Sequence, residues 1–365
     1  MSRRRHRGRR TAAAIEQLPW QQVVNPYAPM ELISEDQVET IIESALDVLE
    51  NQGMRFLHEE SRDILIGAGA QAGSDSQMLL LDRAMVRDLL GKAPASFDLR
   101  ARNPERNLHI GDNHMVFASV GGPAFCSDLD KGRRPGTYAE LCDYMKLVQS
   151  LNIIHQEAGG CFEPMDLPPE SRHLDLYLAQ MTLLDKSCHA YPLGRDRTVD
   201  CLEMTAMALG TDRHGLTDHP AIIGIINTNS PRQLDIQMSE AVLELAAAGQ
   251  VCCITPFTLA GSMSPAVMAG TLVQQTAEVL AVVALAQTVR PGAPVIYGSF
   301  ASNVDMKSGA PALGTPEYTR MTIVSGQIAR KLGLPLRSSN TNTANCVDAQ
   351  AAYESEMSLW GCTMG

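Results

Sequence analysis

The sequence predicts an α/β protein built as a (β/α)8 barrel, with a helical extension before the barrel. From about residue 111 onward, short apolar runs rich in β-branched residues alternate with helix-like segments. Seven such runs occur, more than most doubly wound sheets contain. Neither of the glycine-rich phosphate-binding patterns, G-x-G-x-x-G and G-x-x-x-x-G-K-[ST], is present. These observations favour a closed barrel over a nucleotide-binding open sheet.

The order of elements divides the chain into three parts. Residues 1–30 begin with a run of arginines and are predicted to be a disordered basic arm. Residues 31–110 hold helix-like segments near 36–52 and 61–67 and are predicted to form the helical extension. Residues 111–365 are predicted to form the barrel.

Within the barrel, the predicted strands and helices alternate in the order expected of parallel strands joined by helices. The strands are predicted at 114–120, 152–158, 186–191, 221–227, 250–256, 293–300 and 335–339. The helices are predicted at 137–150, 169–184, 198–209, 231–248, 264–287, 315–332 and 349–360.

The helix predicted from residue 264 has the clearest start signal. Ser264 is expected to cap it and Pro265 to occupy its first position, where a missing N–H costs nothing. Its polar residues are three to four apart and are predicted to face solvent, with Glu278 too far along the helix to reach a site at its start. These polar residues are Thr271, Gln274, Gln275, Thr276 and Glu278.

An eighth strand is missing from the pattern, because only a helix-like segment follows residue 339. A seven-stranded barrel would leave two strand edges unpaired. The sequence therefore predicts a chain truncated at its C-terminus, or an edge covered by another chain.

Composition limits the classes of ligand and compartment. The net charge is −11, and without the six arginines among the first ten residues, 24 basic residues face 41 acidic ones, a balance of −17. An acidic body argues against nucleic acid and suits a cationic ligand. No apolar run is long enough to predict a membrane span. The nine cysteines contain no C-x-x-C pair, so reduced thiols in the cytoplasm are expected.

No metal site is predicted either. Cys188-His189 is the one adjacent Cys/His pair at a strand end, and no partner spacing for a tetrahedral site accompanies it. Cys252 and Cys253 are adjacent in a predicted strand and should point to opposite faces.

Substrate-binding residues are expected where the strands end, because barrel enzymes bind their substrates there. Aromatic residues follow five of the strands and could bind a quaternary ammonium group through their faces, although hydrophobic lids would look the same. Asparagine and hydroxyl residues follow the fourth and seventh strands and could bind a carboxylate, although turns also favour them. The candidate set is Glu157, Tyr191, Asn227, Asn229, Thr255, Phe257, Ser299, Phe300 and Asn342.

No catalytic acid, base or nucleophile can be assigned, because the histidines have no motif context. A reaction whose nucleophile comes from another molecule would fit this pattern.

Eight short motifs spread along the chain form a recognisable set, at 122–125, 133–135, 184–186, 261–278, 291–298, 305–307, 314–317 and 348–354. Together they resemble the trimethylamine methyltransferase family of corrinoid-dependent barrel enzymes, over roughly residues 30 to 360. Residues 341–345, which match the region where archaeal members carry pyrrolysine, are ordinary amino acids. The chain thus resembles the branch of the family without pyrrolysine.

This resemblance implies methyl transfer to the Co(I) of a separate corrinoid protein, with no cofactor bound by the chain itself. A quaternary amine already carries the positive charge that makes its methyl group electrophilic, so glycine betaine or a related betaine is the expected substrate. Two alternatives stay open: an inactive betaine-binding or scaffold protein, and another barrel enzyme such as a lyase. The identity of the betaine, the corrinoid protein and a homo-oligomeric state are also left open.

Overall fold

The computed structural model describes residues 15–365. The arginines of the predicted arm lie outside the described residues. The extension that follows is mixed, with three helices and several short strands. It contains β1 (Val23–Val24), α1 (Glu35–Asn51), β2 (Met54–Phe56), α2 (Glu59–Gly67), β3 (Gln71–Ala72), β4 (Met78–Leu80), α3 (Arg83–Leu90), β5 (Phe97–Leu99), a 3-10 turn (Pro104–Arg106), β6 (Leu108–Ile110) and β7 (His114–Met115).

Residues 15–30, predicted to be disordered, pack on the rest of the molecule. The side chain of Gln17 donates a hydrogen bond of 2.7 Å to the carbonyl of Ser150, and that of Gln22 donates one of 2.6 Å to the carbonyl of His109. Strand β1 pairs antiparallel with β7. The prediction is wrong for this part because polar side chains, which suggested solvation, instead bond to backbone groups of the extension and barrel.

The remaining elements alternate as the sequence predicts. They are β8 (Cys126–Asp128), β9 (Gly132–Arg134), α4 (Tyr138–Ser150), β10 (Gln156–Glu157), α5 (Arg172–Leu183), β11 (Ser187–Ala190), α6 (Arg195–Ala208), α7 (Arg213–Leu216), β12 (Ile222–Ile226), β13 (Gln233–Leu234), α8 (Ile236–Ala247), β14 (Val251–Ile254), β15 (Leu259–Ala260), α9 (Met268–Val289), β16 (Val295–Gly298), β17 (Ser302–Val304), β18 (Pro311–Ala312), α10 (Pro316–Leu332), β19 (Leu336–Arg337) and α11 (Ala349–Met364).

One curled parallel sheet organises the barrel. Its strands lie in the order β10, β11, β12, β14, β16 and β19, and every neighbouring pair is parallel. A parallel bridge from Ala118 to Gln156 adds the segment before β10. Strands that follow one another in both chain and sheet, joined by helices, are the arrangement of a (β/α) barrel, so the predicted fold class is confirmed.

The first strand of the barrel is shorter than the predicted run 114–120. Of the run 114–120, only the part around Ala118 joins the parallel sheet, while His114 and Met115 pair with β1. Within residues 15–365, the edges at Ala118 and at β19 have no further parallel partner.

The start of α9 was predicted wrongly. The helix begins at Met268 with Val267 as its N-cap residue, and residues 259–264 form β15 and a turn in which Ala260 bridges to Ser264. The Ser264 hydroxyl therefore does not cap the helix, and its oxygen lies 3.1 Å from the hydroxyl oxygen of Thr271.

The polar face of α9 is also buried, contrary to the prediction. Thr271, Gln275, Thr276 and Glu278 are fully buried, and Gln274 is 9% exposed. The polar face is turned toward the barrel: Gln275 donates to the hydroxyls of Tyr297 and Ser325, and Glu278 accepts from the loop after β12. Helices α1, α2 and α3 of the extension also pack on α9. By length and composition alone α9 could cross a membrane, but most of it is buried inside the fold.

The barrel wall separates two apolar clusters. Val251 and Cys253 of β14 face the barrel interior, where they pack with Leu99 of the β5–β6 hairpin. Cys252 and Ile254 face the surrounding helices. The predicted opposite orientation of the two cysteines is thus confirmed, and the hairpin fills the amino-terminal end of the barrel. The carboxyl-terminal end, called the mouth below, is left for polar side chains.

Candidate functional site

Three polar side chains project from the strands into the barrel interior near the mouth. Strand β19 pairs with β16 so that Leu336 lies beside Tyr297 and Arg337 beside Gly298. Leu336 and Tyr297 pack against the outer helices, so the alternation of a strand directs Arg337 inward. Gln156 on β10 and His189 on β11 are the other two. Both are nearly fully buried.

His189 and Gln156 form a hydrogen bond across β10 and β11. The Nε2 atom of His189 lies 2.9 Å from the Oε1 atom of Gln156. Because an amide oxygen only accepts, His189 is the donor. Burial, aided by the nearby positive charge of Arg337, lowers the pKa of His189 to about 3, so its ring is neutral near pH 7. Within residues 15–365, neither Nδ1 of His189 nor Nε2 of Gln156 has a hydrogen-bond partner.

Arg337 is a half-buried cation on the inner side of β19. Among the described residues, no carboxylate lies within ion-pair distance of its guanidinium group. The charge of Arg337 acts on a thiol of the barrel interior. Burial raises the pKa of Cys253, and the positive charge of Arg337 opposes that rise. A planar guanidinium with free donors is well suited to bind a carboxylate.

Two phenylalanines lie together at the mouth. Phe257 follows β14 and Phe300 follows β16, and their ring centroids are 5.1 Å apart. Phe300 also lies 6.3 Å from the ring of Tyr318 on α10. Thr255 is buried at the end of β14, with its hydroxyl where a side chain on Gly298 would have to fit. The aromatic faces can bind a quaternary ammonium group.

The loop after β12 presents Asn227 and is anchored from behind by Glu278. Asn227 is exposed, whereas the side chain of Asn229 donates to Asp235 at 3.1 Å and so serves the loop itself. One Glu278 oxygen accepts from the hydroxyls of Thr228 and Ser230, and the other accepts from the backbone N–H of Arg232 and the side chain of Gln274. Glu278 therefore reaches this loop, contrary to the prediction, because the loop folds back over α9.

Glu157, predicted to be a site residue, faces away from the barrel interior. Its carboxylate accepts hydrogen bonds from the backbone N–H groups of Gly159 and Gly160, at 2.8 and 2.5 Å, and from the side chain of Gln180 at 2.6 Å. Burial raises the pKa of this carboxyl group, and the three hydrogen bonds act in the opposite direction. The arrangement shapes the turn after β10.

The other predicted residues are spread around the mouth. Ser299 is buried, and its hydroxyl oxygen lies 2.9 Å from that of Ser325 on α10, on the outer side of the wall. The ring of Tyr191 lies 6.4 Å from that of Tyr177, and its buried hydroxyl has no partner within residues 15–365. Asn342 is half-buried in the segment between β19 and α11.

The sequence pointed to the two phenylalanines that lie together at the mouth, and it did not point to the three polar side chains of the interior. Gln156, His189 and Arg337 all lie in predicted strands, where an inward polar residue looks the same as one bonded within the wall. One signal could have identified Arg337: a lone arginine inside an apolar strand run is costly unless it serves a ligand.

Residues 15–365 bring together no set of side chains that could bind a metal ion. Within the part of the chain that the structure describes, no group of three or more His, Cys, Asp or Glu side chains is arranged to hold a metal ion. Cys188 packs in an outer apolar cluster, whereas His189 faces inward, so the pair does not converge.

Comparison with known proteins gives a consistent set of relatives. Residues 1–365 match the family described as Trimethylamine methyltransferase (MTTB). A glycine betaine methyltransferase of Desulfitobacterium hafniense (strain Y51) is 36% identical over 334 residues, covering 91% of this chain and 69% of that protein. A proline betaine:corrinoid methyltransferase of Eubacterium limosum is 24% identical, covering 91% of this chain and 70% of that protein.

The match to a trimethylamine methyltransferase of Desulfitobacterium hafniense (strain DSM 10664 / DCB-2) is 26% identical, covering 88% of this chain and 65% of that protein. The chain therefore spans about two thirds of the length of these curated relatives. Among solved structures, the monomethylamine methyltransferase of Methanosarcina barkeri gives a TM-score of 0.47 at 7% identity, covering 90% of this chain and 74% of that one.

Proposed function

The chain belongs to the trimethylamine methyltransferase family, and we propose that it transfers a methyl group from a betaine to the Co(I) centre of a separate corrinoid protein. The observation that carries this proposal is that Arg337, which has no ion-pair partner within residues 15–365, and two neighbouring phenylalanines occur at the same end of the barrel. Arg337 can bind a carboxylate, and Phe257 and Phe300 can face a quaternary ammonium group. A betaine carries both groups a few bonds apart.

The charge pattern favours a betaine over a simple methylamine. Trimethylamine has no carboxylate to pair with Arg337. When it is protonated, its positive charge would also be repelled by the guanidinium group. The carboxylate of a betaine removes this repulsion. The relative at 36% identity, a glycine betaine methyltransferase, supports glycine betaine as the first substrate to test.

The described residues act by binding and orientation. The corrinoid, carried by the partner protein, supplies the nucleophile when it is bound at the mouth. The C–N bond breaks with its electron pair on nitrogen, so the product is a neutral tertiary amine and no proton has to be supplied by the chain. The neutral ring of His189 adds no further positive charge to the site.

The mouth is open enough for such a partner to approach. Asn227 is exposed, and Phe257 and Phe300 are only half-buried, so the rings can be reached from solvent. A cytoplasmic location is part of the proposal and is supported by the nine cysteines, all of which are free thiols.

The test is a methyl-transfer assay with glycine betaine, proline betaine and trimethylamine as donors and cob(I)alamin as acceptor. We expect the absorbance of cob(I)alamin to fall with a betaine, together with formation of the demethylated amine seen by NMR. The rate with trimethylamine should be lower. Binding of glycine betaine without any demethylated product, including in the presence of a corrinoid protein encoded nearby, would contradict the proposed activity and favour a binding protein.

A further inference from the structure

The amide nitrogen of Gln156 is a buried hydrogen-bond donor that faces the barrel interior and has no acceptor within residues 15–365. We propose that Gln156 is a specificity-determining residue, which donates a hydrogen bond to the substrate carboxylate beside Arg337. The site would thereby select quaternary amines with a carboxylate over those without one. This inference rests on the proposed function and adds a second group to the recognition of the carboxylate.

The position of Gln156 is fixed by the barrel wall. Its backbone carbonyl accepts a hydrogen bond of 3.0 Å from the N–H of Ser119, and its side chain is 2% exposed. The next residue, Glu157, faces outward and bonds to Gln180 on α5. Because side chains alternate along a strand, Gln156 faces the interior.

His189 fixes the orientation of the amide. Its ring donates to the Gln156 oxygen at 2.9 Å, so the oxygen is occupied and the NH2 group is directed elsewhere. No acceptor for that NH2 group exists among residues 15–365. Buried donors in proteins are nearly always matched, so an unmatched one at a site indicates that an acceptor comes from a ligand or from water.

The charge of Arg337 decides between these acceptors. Arg337 lies beside Gly298 and points inward from β19, and its charge acts on His189, which is itself bonded to Gln156. All three groups therefore face the same interior. A water molecule would satisfy the amide and leave the guanidinium charge unmatched. A carboxylate has two oxygens and a negative charge, so it can accept from the amide and from the guanidinium together.

The experiment compares the affinities of the full chain for glycine betaine and for tetramethylammonium, which has no carboxylate, by calorimetry. Gln156→Glu keeps an acceptor for His189 and replaces the NH2 group with an oxygen that pairs with Arg337. Gln156→Met removes the donor without adding charge. We expect Gln156→Met to lower the preference for glycine betaine roughly tenfold, and Gln156→Glu to reverse the preference in favour of tetramethylammonium.

Gln180→Met is the matched control, because Gln180 is an equally buried amide on the outer side of the same wall. It should leave the preference unchanged. If the wild-type chain shows no preference for glycine betaine, the proposed function itself fails. If the wild type shows the preference and a folded Gln156→Glu variant keeps it, the assignment of Gln156 is wrong. If the Gln156→Met variant does not fold, the ligand preference of the Gln156→Glu variant alone tests the assignment of Gln156.

Discussion

Two groups of polar residues lie on opposite sides of the barrel wall, and they differ in how many of their polar atoms have hydrogen-bond partners. On the outer side, Glu278 of α9 accepts four hydrogen bonds from the β12 loop and from its own helix. On the inner side, one hydrogen bond joins His189 to Gln156, and each of these two residues has a buried atom without a partner in residues 15–365. Arg337 has no ion-pair partner among the same residues. A buried polar group whose hydrogen bonds are all formed within the protein stabilises the fold. A buried polar group without a partner is available to bind a ligand.

The largest effect should come from the outer group. Glu278→Ala removes the acceptor of two hydroxyls, one backbone N–H and one side-chain amide, so we expect the free energy of unfolding to fall by about 3 kcal/mol. Urea unfolding followed by circular dichroism measures this loss. Glu39→Ala, which removes a carboxylate from surface ion pairs of α1, is the control and should cost less than about 1 kcal/mol. Similar losses for the two variants would mean that Glu278 is not an anchor.

Arg337 should affect binding much more than stability. Arg337→Met removes the proposed partner of the carboxylate, so the Kd for glycine betaine should rise roughly 30-fold, about 2 kcal/mol, as measured by calorimetry. The melting temperature should change little, because no ion pair with a described residue is broken.

Arg290→Met serves as the control for Arg337, since Arg290 lies at the end of α9 and pairs with Asp218. It should leave the Kd unchanged. A wild-type Kd in Arg337→Met would place the carboxylate elsewhere in the mouth.

A smaller effect is expected from pH through His189. Its pKa is about 3 in the folded chain, below the unfolded value of 6.5, so the unfolded chain binds more protons between these values. Stability is therefore lost as pH falls below 6.5, by up to about 1.4 kcal/mol per pH unit from this group. Comparing urea unfolding at pH 7.5 and 5.5, His189→Gln should lose less stability than the wild type. An equal loss would show that other groups cause the pH dependence.

The smallest effect concerns the aromatic pair. Phe300→Leu keeps an apolar side chain but removes the aromatic face, so the affinities for glycine betaine and tetramethylammonium should both fall by about threefold. Because both ligands contain the ammonium group, their ratio should stay constant. A change in the ratio would mean that Phe300 contacts the carboxylate end instead.

The predicted elements show why fold was easier to read from sequence than site. The alternation of apolar runs and helices located six of the seven strands to within a few residues, as for 221–227 against the observed Ile222–Ile226. The position of a strand along the chain depends on local patterns of this kind. The role of Glu157 could not be read in this way, because a carboxylate after a strand can face either side of the wall, and here it bonds to Gln180 behind the sheet.

By itself, the sequence determined the parallel barrel order, the opposite faces of Cys252 and Cys253, and the aromatic residues at the strand ends, because each depends on short-range periodicity. The tertiary structure alone decided which polar residues find hydrogen-bond partners within the protein. The barrel wall, α10 and the loop after β12 bury the polar face of α9, and strands distant in the chain bring Gln156, His189 and Arg337 into one interior. Burial and charge acting between distant segments are properties of the folded chain, and they separate a scaffold residue from one that awaits a ligand.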